Sequence, residues 1–227
     1  MKYKVVEKFI SINGEGTNAG KLAAFIRMAG CNLRCSFCDT MWANEEEVSY
    51  MEETAEDIRR YIEKEEVRFV TLTGGEPLYR EGVCELLGTL LEIPKLTIEI
   101  ETNGSMSLLE VHQFRETKNA VDRILFTMDY KLPGSEMEKY MNLENFEYLR
   151  QRDTVKFVTG SKKDLERMKD IVKKYQLGKH CNIYISPVFG KIKPEEMVEY
   201  MINEKLNDVT MQLQMHKFIW DPDKRGV

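Results

Sequence analysis

The sequence predicts an α/β fold: a mainly parallel sheet curled into a barrel or part of one. Two observations predict it. Short apolar, β-rich runs alternate with stretches of helical spacing along most of the chain. Polar, glycine-rich segments follow several of those runs directly, at the strand ends where a parallel barrel assembles its site. A chain of 227 residues builds one sizeable core and is short for two, so residues 1–227 are expected to form a single domain.

Lys4 to Ile10 and Ala23 to Met28 are strand-like and bracket the glycine-rich Asn13-Gly14-Glu15-Gly16. Thr54 with Asp57 three residues on has the form of a helix start, and Ile58, Tyr61 and Ile62 supply a buried stripe. Arg68 to Leu72 is β-rich and ends at Thr73-Gly74-Gly75-Glu76-Pro77. A helical stretch from Arg80 to Ile93 precedes strand-like Leu96 to Ile100, which ends at Glu101-Thr102-Asn103-Gly104. Further strands are expected at Ile124 to Thr127, Thr154 to Val158, Asn182 to Ile185 and Val209 to Leu213. Helices are expected at Leu108 to Thr117, Lys163 to Tyr175 and Pro194 to Ile202. Pro133 to Asn145 reads as a loop or a broken helix near the site mouth.

Composition narrows the class. Residues are 42 % hydrophobic and 31 % charged with a net charge of −5, so the basic footprint of a nucleic-acid binder is missing. Lys162-Lys163 and Lys173-Lys174 sit among Glu and Asp on helix-like stretches and read as solvated faces. No apolar run approaches the ~18–20 residues of a membrane span. Met1 to Glu7 carries no signal-peptide core. The expectation is a cytoplasmic protein with neither nucleic-acid nor membrane partners. Thiols stay reduced in that compartment, and clustered cysteines there mean metal or redox chemistry.

Three of the five cysteines fall in Cys31-Asn32-Leu33-Arg34-Cys35-Ser36-Phe37-Cys38, a CxxxCxxC run. Thiolates this close on one loop converge on a volume the size of an iron–sulfur cube. They supply three ligands, which leaves one iron open to a small molecule. A zinc site short of its fourth ligand and packed free thiols are the alternatives. Cys84 shares helical spacing with Leu87 and Leu91 and reads as a small hydrophobe, while Cys181 stands alone after His180. At Gly74-Gly75-Glu76-Pro77 the glycines let backbone approach a bound group closely, and Pro77 fixes the strand exit. Glu76 there can balance a positive charge or serve as a helix-start carboxylate.

With Phe37 before the third cysteine, the CxxxCxxC and GGEP motifs together resemble the radical S-adenosylmethionine (SAM) superfamily. That resemblance implies a radical SAM core, a partial (incomplete) TIM-like barrel of parallel strands. It also implies a 4Fe–4S cluster whose open iron is chelated by SAM, and one-electron cleavage of SAM to a 5′-deoxyadenosyl radical. More of the chain is similar to one family in it, the 7-carboxy-7-deazaguanine synthases of the 7-deazapurine (queuosine precursor) pathway. Phe9 to Gly16 resembles the family's FxTxQGEG, with Asn13 in the place of the usual Gln. Phe25 to Leu33 is similar to FxRxAGCNL, Cys38-Asp39-Thr40 to CDT, and Gln214 to Lys217 to QxHK. Leu72 to Pro77 and Glu99 to Gly104 are similar to its TGGEP and IETNG segments.

The resemblance implies a radical lyase that contracts 6-carboxy-5,6,7,8-tetrahydropterin to 7-carboxy-7-deazaguanine and ammonia, with SAM recycled and Mg²⁺ assisting. Carried residue by residue, it makes Cys31, Cys35 and Cys38 the cluster ligands and Thr40 the Mg²⁺ ligand. It puts Ile12, Asn13, Gly14, Arg27 and Thr73 on the substrate, and folds the terminal carboxylate of Val227 back toward it. SAM falls to Phe37, Asp39, Gly75, Glu76, Asp129, Tyr130 and Lys131, and to Ser186, Pro187, Val188 and Phe189. Asp129-Tyr130 departs from the Ser-Pro of some members. A one-electron reductant such as a flavodoxin and a homodimer are implied with it.

Chemistry weighs the same residues independently. Arg27 offers a bidentate fork to a substrate carboxylate, or a salt bridge to a neighbour. A lone hydroxyl such as Thr40 suits Mg²⁺ only when substrate oxygens and water complete the octahedron. Backbone around Ile12, Asn13 and Gly14 can read the amide-like edge of a pterin. His216 and His112 read as packed or surface histidines. Two rival functions keep the cysteine motif: an activating enzyme for a glycyl-radical or anaerobic ribonucleotide reductase, and a non-catalytic iron–sulfur or zinc protein.

Overall fold

The computed structural model describes every residue of the chain except 46 and 223. In chain order its strands are β1 (Lys2–Ile12), β2 (Leu22–Met28), β3 (Met51–Thr54), β4 (Phe69–Gly74), β5 (Thr97–Thr102), β6 (Ile124–Asp129), β7 (Thr154–Thr159), β8 (Asn182–Pro187) and β9 (Val209–Met211). The α-helices are α1 (Ala55–Lys64), α2 (Val83–Leu90), α3 (Leu109–Thr117), α4 (Lys162–Tyr175), α5 (Pro194–Glu204) and α6 (His216–Ile219). All strands join one sheet, in the order β3-β1-β2-β4-β5-β6-β7-β8-β9. β1 is antiparallel to both β2 and β3. Every pair from β2–β4 through β8–β9 is parallel. The sheet is curled and unclosed, the incomplete barrel expected.

Alternation along the strands decides what each face carries. On β5, Ile98 and Ile100 are fully buried beneath the helices with Phe126, Phe157, Leu87 and Met168. Glu99 and Glu101 point to the opposite, concave face, where Thr73, Thr127, Asp129 and Lys156 also lie. The apolar layer between sheet and helices holds the fold together, and the polar concave face is left for a ligand. Thr54 caps α1 as its sequence suggests. Its hydroxyl accepts from the Asp57 N–H while the Asp57 carboxylate accepts from the Thr54 N–H.

β3 and the start of α2 depart from expectation, and the stretch after β6 is the broken helix expected. β3 was not foreseen, because Met51-Glu52-Glu53-Thr54 is a polar edge strand with no apolar alternation to betray it. The helix expected from Arg80 begins only at Val83, since Arg80 is extended and Gly82, the N-cap, sits in the left-handed region at φ 82°. The irregular stretch after β6 resolves into three short 3₁₀ turns, Pro133–Ser135, Glu138–Tyr140 and Leu143–Tyr148.

β3 covers only Lys2–Val5 of β1, which leaves the rest of β1 as a sheet edge. The segment after β9 returns to the loop that follows that edge. Gly16 N donates to Gln212 Oε1 at 2.8 Å and Gln212 Nε2 donates to Gly16 O at 3.0 Å. Met215 N reaches Gly14 O at 3.2 Å. Side-chain and loop hydrogen bonds thus bridge the gap that the ladder leaves open.

Candidate active site

A cavity of about 660 Å³ opens at the C-terminal ends of the parallel strands. Cys31, Cys35 and Cys38 stand around one end of it, all three free of disulfides and half-exposed. Among the described residues, no three of Cys, His, Asp and Glu are gathered closely enough for a single metal ion. Burial pushes the Cys31 thiol up and the Cys35 thiol up to about 11, so binding a metal cluster here displaces protons.

The loop carrying these thiols is seated on the exit of β4. Gly75 N donates to Met28 O at 2.9 Å and Glu76 N to Gly30 O at 2.9 Å. A Cβ on Gly75 would lie 1.7 Å from Gly30 O, and one on Gly74 would lie 2.3 Å from Met28 N. The paired glycines therefore admit the backbone that leads into the cysteine loop, and both line the cavity where a bound group would be met. Thr40 follows the loop. Its hydroxyl is 3.6 Å from Cys38 Sγ, and it makes no capping hydrogen bond to the 3₁₀ turn it begins, Met41–Asn44.

The cavity wall is charged in pairs, one of them, Lys131 with Asp129, beside Cys35. Arg27 Nε donates to Glu7 Oε1 at 2.7 Å, beneath the stacked Phe9 and Phe25 rings whose centroids are 5.0 Å apart. Lys131 Nζ donates to Asp129 Oδ2 at 2.8 Å, and Lys156 Nζ to Glu15 Oε2 at 3.1 Å. Burial works against the Lys156 ammonium, but Glu15, Asp129 and Glu101 outweigh it and hold its pKa above that of an ordinary lysine. Burial likewise works against the Glu15 carboxylate, and Lys156 reverses it, so that carboxylate stays ionised. Thr73 Oγ1 donates to Glu101 Oε2 at 2.7 Å.

Three lining acceptors have no donor. Glu15 Oε1, Asn44 Oδ1 and Asp129 Oδ1 are buried without a hydrogen-bond partner among the described residues. Buried polar atoms are nearly always paired, so this cavity suits a donor-rich ligand such as an ammonium, a ribose or a pterin edge. Three soft thiols and these unpaired acceptors in one cavity match the donor set of a cluster and a SAM-like cofactor.

Most of the expected residues meet here: Ile12, Gly14, Arg27, Phe37, Asp39, Thr40, Thr73, Gly75, Asp129, Lys131, Val188, Phe189 and Val227 all line the cavity with the three cysteines. Five do not. Asn13 is 3 % exposed, and its backbone is spent on the loop, through Lys21 O at 2.9 Å and Gly20 N at 2.8 Å. Glu76 is fully buried, with Leu78 N, Thr102 Oγ1 and Asn103 N donating to it. That makes it a brace between β4 and β5 rather than a counter-charge in the cavity. Tyr130 packs against Phe146 and Phe157. Ser186 and Pro187 are buried at the end of β8, behind the lining Val188 and Phe189.

Several lining residues were missed by the sequence reading: Glu7, Glu15, Glu101, Lys156, Trp42 and Arg225. Lys156 was detectable, because a lysine inside Thr154-Val155-Lys156-Phe157-Val158 is out of place in a strand buried on both faces. The Arg225 guanidinium, 4.3 Å above the Trp42 ring, left no local signal because its partner is distant in sequence. His216 packs on Gly14, where an added Cβ would be 2.8 Å from Nδ1. Burial, then the Lys217 charge, hold its imidazole below the ordinary 6.5. A histidine depressed in the fold contributes stability that is complete above about 6.5 and is lost as pH falls below it. Hydrogen exchange is therefore expected to show faster exchange at Gly14 and residues 214–219 at pH 5.5 than at pH 7.5, once corrected for intrinsic rates. Equal protection would count against a neutral, docked His216.

Comparison with known proteins gives the family. The model of the Radical SAM superfamily matches residues 25–130. The 7-carboxy-7-deazaguanine synthase of Clostridium acetobutylicum is 55 % identical over 227 residues, covering 100 % of both chains. The enzyme of the same name from Leptospira interrogans is 34 % identical, over 100 % of this chain and 99 % of its own. The crystal structure of QueE from Escherichia coli has the same fold, with a TM-score of 0.74 at 22 % identity over 95 % of each chain. Matched along its whole length at 55 % identity by the Clostridium acetobutylicum enzyme, and carrying three thiols at the strand ends of an incomplete parallel barrel, the chain belongs to the 7-carboxy-7-deazaguanine synthase family of the radical SAM superfamily.

Proposed function

We propose that the chain converts 6-carboxy-5,6,7,8-tetrahydropterin to 7-carboxy-7-deazaguanine and ammonia in this cavity, as a radical SAM lyase of 7-deazapurine biosynthesis. The observation that carries this reading is one cavity that gathers three free thiols, Arg27 and unpaired buried acceptors. The cofactors are a 4Fe–4S cluster, SAM and Mg²⁺. Their chemistry when bound is one-electron cleavage of SAM and abstraction of a hydrogen atom from the substrate.

In this reading Cys31, Cys35 and Cys38 hold the cluster. Phe37, Asp39, Gly75, Asp129, Lys131, Val188 and Phe189 line the SAM subsite, and Asp129 Oδ1 offers an acceptor there. Ile12, Gly14, Arg27, Thr73 and Val227 bound the substrate. Asn13, Glu76, Tyr130, Ser186 and Pro187 act from behind, by fixing the loops and strand ends that carry the lining groups. A reductant of flavodoxin type, a homodimer and a cytoplasmic location complete the proposal. Among the described residues no helix is long and apolar enough to cross a membrane.

The test is anaerobic. The chain is reconstituted with iron and sulfide, reduced, and given SAM, Mg²⁺ and the pterin, and mass spectrometry follows the product. A product lighter than the substrate by one ammonia, with SAM largely unconsumed, is the expected result. Release of 5′-deoxyadenosine without that product would reject this substrate and revive a protein-activating role.

Two substitutions probe the substrate end. Because Glu7 engages Arg27 through Nε, the far edge of the guanidinium is left to pair with the substrate carboxylate. Arg27→Ala removes that partner and strands Glu7, costing about 2–5 kcal/mol of substrate binding. The expected readout is a raised KM with a smaller change in kcat, and an unchanged KM would refute the contact. Thr40→Val keeps shape and removes the hydroxyl. Its activity is expected to respond less to added Mg²⁺, and a wild-type Mg²⁺ titration would exclude Thr40 as the ligand.

A further inference from the structure

The cysteine loop is held, within the cavity wall, by a group that is not a cysteine. Asn103, at the exit of β5, is 7 % exposed. Its side-chain Nδ2 lies 3.5 Å from Cys31 Sγ and 3.1 Å from Asn32 Oδ1. The orientation of that amide is decided by its other end. Oδ1 accepts the Ser105 backbone N–H at 2.9 Å and the Ser105 hydroxyl at 2.6 Å. A backbone N–H can only donate, so the oxygen must face Ser105 and the NH₂ must face the sulfur. Asn32 Nδ2 returns to Ser105 Oγ at 2.8 Å, which closes a ring of hydrogen bonds around the first cysteine.

The backbone of Asn103 is fixed as firmly. Its N–H donates to Glu76 Oε2 at 2.6 Å, and its neighbour Thr102 donates to Glu76 Oε1 at 2.8 Å. Glu76 in turn is tied by its own N–H to Gly30, the residue before Cys31. One buried carboxylate therefore sets the spacing between the residue that leads into the cysteine loop and the amide that points at its first sulfur. This gives Glu76 of the GGEP run a task that it can perform without reaching the cavity.

We propose that Asn103 is a positioning residue that donates an N–H···S hydrogen bond to Cys31 and thereby raises the reduction potential of the cluster that Cys31 holds. The inference rests on the assignment of the three cysteines to a cluster. A hydrogen bond to a cluster sulfur strengthens as negative charge accumulates there, so it favours the reduced state over the oxidised one. Asn103 is well suited to this task, because its amide is locked by Ser105 and cannot turn away when the charge changes.

The variant is Asn103→Asp, which keeps the shape and the acceptor to Ser105 but replaces the donor at the sulfur with a carboxylate oxygen. In reconstituted holoenzyme, an EPR-monitored titration is expected to move the cluster midpoint to a more negative potential. Deuterium ENDOR of the reduced cluster in D₂O is expected to lose the coupling of an exchangeable deuteron present in the wild type. An unchanged potential with the coupling retained would overturn the role of Asn103. Should the variant fail to fold, wild-type protein carrying asparagine isotope-labelled at the side-chain amide nitrogen decides the matter. Coupling of that nitrogen to the reduced cluster is expected, and none would overturn the proposal. A wild-type chain that takes up no four-iron cluster would instead overturn the cysteine assignment.

Discussion

Cys35→Ala is expected to lose the iron–sulfur absorbance after reconstitution, and with it all formation of 5′-deoxyadenosine and product. The loop offers three thiols, and a site with three protein ligands has none to spare. The other two cysteines cannot substitute. Neither Cys84 nor Cys181 lines the cavity, and Cys181 is buried with its Sγ directed at Leu177 O, 3.6 Å away. The fold should hardly notice the change. Cys35 is half-exposed, and the loop around it is tied down by its neighbours: Ser36 Oγ donates to Gly134 O at 2.7 Å and Ser36 N to Ser135 O at 3.2 Å. The expected pattern is thus a normal unfolding curve with negligible bound iron, measured by chemical denaturation and metal analysis. A variant that still released 5′-deoxyadenosine would overturn the site as described, and a variant that failed to fold would mean that Cys35 has a packing role its exposure does not suggest.

The parts of the molecule that were legible in the sequence are those whose signal is local. Strands such as Ile124–Asp129 and Asn182–Pro187 announce themselves by β-branched and apolar runs. The cysteine loop and the paired glycines stand out by spacing alone. What stayed hidden depends on which residues meet across the sheet. Glu76 reads as a charge for a ligand until its carboxylate is seen to be consumed by Thr102 and Asn103. Asn13 occupies a site motif, yet its side-chain Oδ1 accepts from the buried hydroxyl of Thr71 at 2.8 Å. In both cases the residue type was informative about polarity and silent about direction. Register decides direction, and register is a property of pairs of strands. The concave face was half legible: the alternation Ile98-Glu99-Ile100-Glu101 shows that one face of β5 is polar, but not that Lys156, paired with Glu15, answers those charges.

Asp153→Ala is expected to cost about 3–5 kcal/mol of stability, the loss typical of breaking a buried ion pair from one side. Asp153 and Arg115 are both fully buried, and the guanidinium meets the carboxylate through two bonds, at 2.8 and 2.7 Å. The pair sits where the β6–β7 ladder has not yet begun, since their register starts at Thr127 opposite Thr154. Ahead of that point the side chains stand in for strand pairing. Asp153 Oδ1 accepts from Phe126 N at 2.8 Å and Oδ2 from Arg150 N at 2.7 Å. Arg115 donates to Ile124 O at 3.0 Å and Tyr148 O at 2.9 Å. This arrangement distinguishes the pair from buried ion pairs that apolar residues replace without loss. A Leu–Leu double variant would leave two N–H groups and two carbonyls without partners in the interior, so it too should be destabilised rather than neutral. Denaturant unfolding of Asp153→Ala and of the double variant would separate the two effects. A double variant as stable as the wild type would show that the pair is dispensable charge and that the backbone groups around it find partners without it.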